Sequence, residues 1–199
     1  DLMDNLVDGL HFTEAHDEVI SFSDFLSGVV VINLSRAGAD DETKNMLVAV
    51  FLNLFYEHML NIEKKEPMGP QRDRRFVDTM LLVDEADNIM KYEFPVLKQI
   101  LLQGREFGVG VLLASQYLSH FKTSNENYAE PLNSWFIHKV PRIVPRDLDS
   151  LGLSSAGNEV TNKIKQLGKH ECLYKTWRVD GRFIKGTPFY ELSKQHEDD

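Results

Sequence analysis

The sequence predicts an α/β fold: a parallel sheet flanked by helices, with a C-terminal β-hairpin. Three observations carry this. Short apolar runs rich in Val, Ile and Leu, at Val29–Leu34, Thr79–Val83 and Val109–Ala114, alternate with helical patterns, which is the arrangement of βαβ units. Runs that are apolar at nearly every position suit strands buried on both faces, as in parallel sheets. Near the end, Asp180-Gly181 stands between two strand-like runs, a strong hairpin signal.

Taken in order, residues 1–28 are mixed, with a short strand expected over Glu18–Phe22 and a turn or single helical turn over Ser23–Gly28. Val29–Leu34 reads as the first buried strand. A helix follows from about Asp41 to Ile62, with Met46, Leu47, Val50, Phe51, Leu54, Phe55, Met59 and Ile62 as its apolar stripe. Asp40, Asp41 and Glu42 place negative charge where the helix dipole favours it. Glu63–Arg75 is charged and carries Pro67, Gly69 and Pro70, so it reads as a surface loop. Thr79–Val83 is the second strand. Pro95, tolerated in a first turn, opens the next helix, and Gly104 and Gly108 mark its end. Val109–Ala114 is the third strand and Trp135–Val140 the fourth. Two short helices, about Arg146–Leu151 and Gly157–Leu167, lead to hairpin strands at Glu171–Val179 and Arg182–Ile184. Lys194–Asp199 is a polar tail.

The 199 residues suffice for one domain with a real core. A content of 42% hydrophobic and 27% charged residues is that of a globular protein. No apolar run approaches the roughly 18–20 residues of a membrane span, so no membrane partner is expected. The chain starts at Asp1 without a visible targeting segment, and a piece of a longer protein is expected. The single cysteine, Cys172, excludes an internal disulfide framework and fits a reducing, cytoplasmic setting. In a strand it reads as a small buried residue rather than a reactive thiol. The net charge of −9 argues against a surface that grips nucleic acid by itself. It leaves room for contact by a few loops. Lys122–Asn127 is the candidate, although a plain surface loop is the better reading of that stretch. The seven His residues show no ligand spacing.

Chemistry concentrates at Leu81-Leu82-Val83-Asp84-Glu85-Ala86-Asp87. Ligands of parallel α/β sheets bind at the carboxyl ends of strands, and this apolar strand ends in two acids. Asp84 is suited to hold Mg²⁺ through its water shell, since Mg²⁺ takes oxygen ligands and keeps its waters. Glu85 is suited to orient and polarise an attacking water. The plainer reading is that both acids cap the following turn. The next buried strand ends in Ala114-Ser115-Gln116, which is expected to bring Gln116 to the same pocket, where an amide can touch both a γ-phosphate and the water. A simple polar strand end is the alternative there. Arg105, at a helix end between Gly104 and Gly108, is either a solvated surface group or an arginine presented to a neighbouring subunit's phosphate. A phosphate loop, G-x-x-x-x-G-K-[ST], is absent: the sole Gly-Lys pair is Gly168-Lys169, followed by His170 and preceded at the required spacing by Lys163. It is expected upstream in a longer protein, or nucleotide binding has been lost, and no ATP hydrolysis is expected from these residues alone.

Val83-Asp84-Glu85-Ala86-Asp87 resembles the Walker B motif of RecA-like ATPases. Together with Gly104-Arg105-Glu106-Phe107-Gly108, the strand Val109–Ala114 and its Ser115-Gln116 end, it is similar to the HerA/FtsK group, which includes conjugative coupling and type IV secretion ATPases. The likeness spans roughly residues 28–190. Within the group, Leu101–Gly110, Ala114–Ser119 and Trp135–Val140 look most like the DptH (DndH) ATPases of phosphorothioation-dependent restriction. The resemblance implies residues 1–190 as the C-terminal portion of a RecA-like ATPase domain, followed by a polar tail over 191–199. It further implies ATP and Mg²⁺ as cofactors and a ring, most simply a hexamer, that moves along double-stranded DNA with other restriction subunits in anti-phage defence. Asp84 and Glu85 would act in cis and Arg105 on the adjacent subunit's nucleotide.

Two competing readings stand beside it. Residues 84–87 spell Asp-Glu-Ala-Asp, as in DEAD-box RNA helicases, but those enzymes carry Ser-Ala-Thr where this chain has Ala114-Ser115-Gln116. The other is a non-catalytic assembly module derived from a motor, which the missing phosphate loop and net negative charge favour and Asp84, Glu85 and Gln116 oppose.

Overall fold

The computed structural model describes residues 19–36, 40–70, 74–149, 151–153, 157–176, 178–188 and 191. The polar tail lies outside them, apart from residue 191. The chain divides into two compact units, Asp1–Leu113 and Ala114–Asp199.

The first unit opens with α1 (Phe22–Phe25), capped by the Ser21 hydroxyl, which accepts from the Asp24 amide. This is the helical-turn alternative for that stretch, and Val19–Phe22 forms no strand. Val29–Leu34, expected as a buried strand, forms none: Val29–Asn33 pairs with nothing among the described residues and lies open to solvent, Val29 at 95% exposure. A strand is held by its neighbours' hydrogen bonds. Asn33 instead turns the chain, its side-chain oxygen accepting from the Ser35 amide and hydroxyl, and a 3-10 turn follows at Leu34–Arg36.

Helix α2 (Asp41–Asn61) begins as expected. The Asp40 carboxylate accepts from the Glu42 and Thr43 amides and the Thr43 hydroxyl, satisfying donors that a helix start leaves open. Those bonds, the Thr43 hydroxyl foremost, hold the Asp40 carboxyl below its usual range. The buried stripe differs from the expected one. Val48, Leu52, Phe55 and Met59 are buried, whereas Val50 and Leu54 are exposed. Apolar residues surround this helix nearly all round, so several stripes fit the sequence and packing selects one.

Strand β1 (Thr79–Val83) and β2 (Val109–Leu113) form a parallel pair in which Thr79 meets Val109 and Val83 meets Leu113. The two strands are not buried on both faces. Met80, Leu82 and Leu112 stand exposed, while Val83 and Val109 are buried. Between the strands come α3 (Asp87–Met90) and α4 (Pro95–Gln103), the latter burying Val96, Leu97 and Ile100. A 3-10 turn, Gly104–Phe107, leads to Gly108 in the left-handed region at φ 76°.

In the second unit the predicted fourth strand forms, as β3 (Ser134–Ile137), but it does not join the parallel sheet. It runs antiparallel to β4 (Glu171–Thr176), which pairs antiparallel with β5 (Val179–Lys185). Helices α5 (Pro145–Asp149) and α6 (Gly157–Gln166) lie between β3 and β4 in the chain. Ile143, Leu148, Leu151, Ile164 and Leu167 pack with Ile137 and Leu173 into this unit's core. The hairpin is present, but the chain reverses between Thr176 and Val179 rather than at Asp180-Gly181. Gly181 sits inside β5, where a Cβ would meet Leu173 Cδ1 at 3.0 Å. This glycine serves close packing, not the turn. Cys172 is buried in β4, and desolvation raises its thiol pKa.

Candidate functional site

β1 delivers Asp84 and Glu85 at its carboxyl end. Both side chains are exposed, and Val83 before them and Ala86 after them are buried, so the acids stand on an anchored stem. Glu85 adopts φ 47°, a left-handed conformation that costs a residue with a Cβ about 1–2 kcal/mol and gathers at functional sites. The Glu85 amide donates to Asp84 Oδ1 at 3.0 Å. This leaves Asp84 Oδ2 with no hydrogen bond from a described residue. The Asn88 side-chain amide donates to Glu85 Oε2 at 3.3 Å, and the Asn88 backbone amide to the Glu85 carbonyl at 2.9 Å. Sequence reasoning missed Asn88; its place three residues beyond Glu85, at the start of a helix, was the available signal.

Mg²⁺ suits this donor set. Asp84 offers a free, exposed oxygen at a strand end, which fits an ion held through its own water shell. Among the described residues no three His, Cys, Asp or Glu gather into a direct metal cage.

Arg105 lies at the other end of the strand pair. It belongs to the 3-10 turn that enters β2 beside Thr79, whereas Asp84 follows β1 at the Val83–Leu113 end. The rise along the strand between those ends is about 13 Å, too far for Arg105 to reach a phosphate held at Asp84 of the same chain. The arginine is exposed, and its guanidinium makes no ion pair or hydrogen bond with a described residue. Its turn is fixed firmly. Lys64 Nζ pairs with Glu106 Oε2 at 2.6 Å, and the Lys65 amide donates to the Glu106 carbonyl at 2.7 Å. Lys65 Nζ pairs with Asp78 at 2.6 Å, just ahead of β1. The Lys65 bond holds the Asp78 carboxyl below its usual range, and the Lys64 bond does the same for Glu106.

Gln116 lies near the start of the second unit, three residues beyond Leu113, and is exposed. Its neighbours are tied together: Ser115 Oγ lies 2.8 Å from His120 Nδ1, and the Tyr117 ring meets the His120 ring edge-on at 5.2 Å. Lys122–Asn127 closes on itself through a bridge between its end residues and a Thr123–Glu126 backbone bond, a compact turn. Gly168-Lys169 forms no phosphate cradle, since the Gly168 amide donates to Glu171 Oε2 at 2.8 Å. Two open cavities of the second unit, about 360 and 430 Å³, are lined by none of Asp84, Glu85, Arg105 or Gln116.

No protein-family model matches the sequence, and no curated protein matches it. Solved structures do match in fold. One is VirB4 of Thermoanaerobacter pseudethanolicus, with a TM-score of 0.55 and 18% identity over 78% of this chain. The match takes in 40% of the VirB4 chain, so these residues span well under half of that protein. What the match shows is a shared fold, which in this chain is a mixed α/β arrangement with a parallel strand pair and a C-terminal antiparallel hairpin. Among the described residues no helix is long and apolar enough to cross a membrane.

Proposed function

We propose that this chain is the acid-and-arginine part of a RecA-like motor that hydrolyses ATP to move along double-stranded DNA. The observation that carries the reading is the strained Glu85 beside a half-free Asp84 at the carboxyl end of a parallel strand. Asp84 would hold Mg²⁺ through bound water, and the ion, when bound, would neutralise phosphate charge. Glu85, steadied by Asn88, orients and polarises the attacking water. Gln116 contacts the γ-phosphate and reports nucleotide state. The phosphate-cradling loop comes from outside these 199 residues.

The placement of Arg105 supports a ring. An arginine a strand's length from its own acids serves hydrolysis by reaching a neighbour's nucleotide, where it stabilises charge in the transition state. A head-to-tail ring, most simply a hexamer, supplies that neighbour at every interface. The DptH-like segments support a finer reading, in which the motor works with other subunits of a cytoplasmic phosphorothioation-dependent restriction system against phage DNA. A non-catalytic assembly role has one observation in its favour, the engagement of the sole Gly-Lys turn by Glu171.

The test is Glu85→Gln in the protein that carries its phosphate loop. ATP binding, followed by a fluorescent nucleotide, is expected to persist, while hydrolysis falls by about a hundredfold or more. Undiminished hydrolysis would sink the assignment. A wild-type protein that binds no ATP at all would favour the assembly role.

A further inference from the structure

The three-stranded sheet of the second unit packs one face into its core and leaves the other largely open, with Cys172 as a buried exception. Side chains alternate along a strand, and Ile137 and Leu173 point into the core. Their neighbours Phe136 and Tyr174 therefore point the other way. Phe136 is directly opposite Tyr174, and Tyr174 is opposite Arg182, so the three stand in one row across β3, β4 and β5. The Phe136 and Tyr174 rings are 4.9 Å apart at 31°. Phe136 is 58% exposed and Arg182 is exposed as well. His138 follows on the same face, its Nδ1 3.2 Å from the Glu171 carbonyl oxygen. Ser134, Thr176, Cys172 and Ile184 complete the face, which carries no carboxylate among its described side chains.

We infer that this face is a stacking platform for single-stranded nucleic acid. The exposed Phe136 ring, backed by the half-buried Tyr174 ring, presents a flat π-surface of the kind on which unpaired bases stack without regard to sequence. Arg182 stands opposite Tyr174 in the strand register, on the side where it can serve a phosphate or a second base plane. The charge suits a polyanion: in a chain of net charge −9 this face holds Arg182 with no carboxylate among its described side chains. Beyond it, at the sheet end formed by the start of β4 and the end of β5, Lys169 and Lys185 line a notch of about 430 Å³, with Glu191 as its carboxylate. A protein partner built on apolar contact would not call for that positive rim. Duplex DNA keeps its bases stacked on each other and offers no free base plane to Phe136.

The platform uses none of the acids of β1 and needs no nucleotide, so its test is independent of the motor reading. Binding of a fluorescein-labelled oligothymidylate to the full chain is followed by anisotropy without ATP, with the corresponding duplex as competitor. The single strand is expected to bind and the duplex to compete poorly. Phe136→Ala weakens binding roughly five- to a hundredfold and leaves the salt slope intact. Arg182→Gln weakens binding and flattens the slope. Phe136→Trp restores affinity, and its indole emission is quenched by the oligonucleotide, which keeps the outcome readable if the alanine variant folds poorly. Three results would each overturn the inference: no binding by the wild type, equal competition by the duplex, or unchanged oligonucleotide affinity in folded Phe136→Ala. In the last case, a change in sedimentation would assign the face to a protein contact instead.

Discussion

Gly108→Ala tests the turn that presents Arg105. Gly108 has φ 76°, and a Cβ there would lie 2.8 Å from Lys65 Cε and 3.0 Å from the Phe76 carbonyl oxygen. The Lys65 stem cannot simply swing aside, because its Nζ is held by Asp78 at 2.6 Å. Two costs follow. The left-handed backbone costs alanine about 1 kcal/mol relative to glycine, and the forced contact adds about 1–3 kcal/mol, as overpacking does. Gly28 provides the control, since its φ is 78° and nothing lies within 4 Å of its Cβ position. At about 2–4 °C per kcal/mol for a chain of this size, Gly28→Ala lowers Tm by about 2–4 °C and Gly108→Ala by about 4–16 °C. Circular dichroism melts of the two variants measure the difference. A Gly108→Ala chain that melts together with Gly28→Ala would refute the packing of Lys65 and Phe76 over this glycine.

Further expectations concern the same unit. Ile100 is fully buried, and Ile100→Ala is expected to cost about 2–5 kcal/mol in urea unfolding; a loss under about 1 kcal/mol would contradict its place in the core. The lowered Asp78 pKa gives stability that is present above the ordinary carboxylate value of 3.8 and is lost as pH falls below it. Asp78→Asn is therefore expected to be less stable than wild type at neutral pH and to converge with it in acid, with a modest gap because the pair is about one-third exposed. A gap that persists unchanged into acid would show that the carboxylate's charge is not what matters there.

Much of the first unit was legible in the sequence because its signals are local. An aspartate cap and a long apolar run define α2, Pro95 opens α4, and apolar runs ending at Val83 and Leu113 give two parallel neighbours. What misled were features that only tertiary context decides. Val29–Asn33 has strand composition but no described partner to pair with. The buried stripe of α2 was one of several that its apolar surface allows. Asp180-Gly181 has hairpin chemistry, yet Gly181 is used for its small size against Leu173. Trp135–Val140 has strand composition and Ser134–Ile137 forms a strand, but whether a strand joins a parallel or an antiparallel sheet is not written in its own residues. Asp84 and Glu85 were legible from the apolar run that ends in them. The left-handed backbone of Glu85, the support from Asn88 and the Lys64–Lys65 clamp on the Arg105 turn were not, because each depends on where neighbouring segments fold.

The proposed active site is divided, with Asp84 and Glu85 in one subunit and Arg105 in the next. Mixing two inactive variants of the complete motor, Glu85→Gln and Arg105→Ala, tests it most directly. In an equal mixture about a quarter of head-to-tail interfaces join an intact Glu85 to an intact Arg105, so ATP hydrolysis is expected to reappear at a substantial fraction of the wild-type rate. If Arg105 instead served its own chain's acids, no interface would be complete, and a mixture as inactive as its two components would contradict the account.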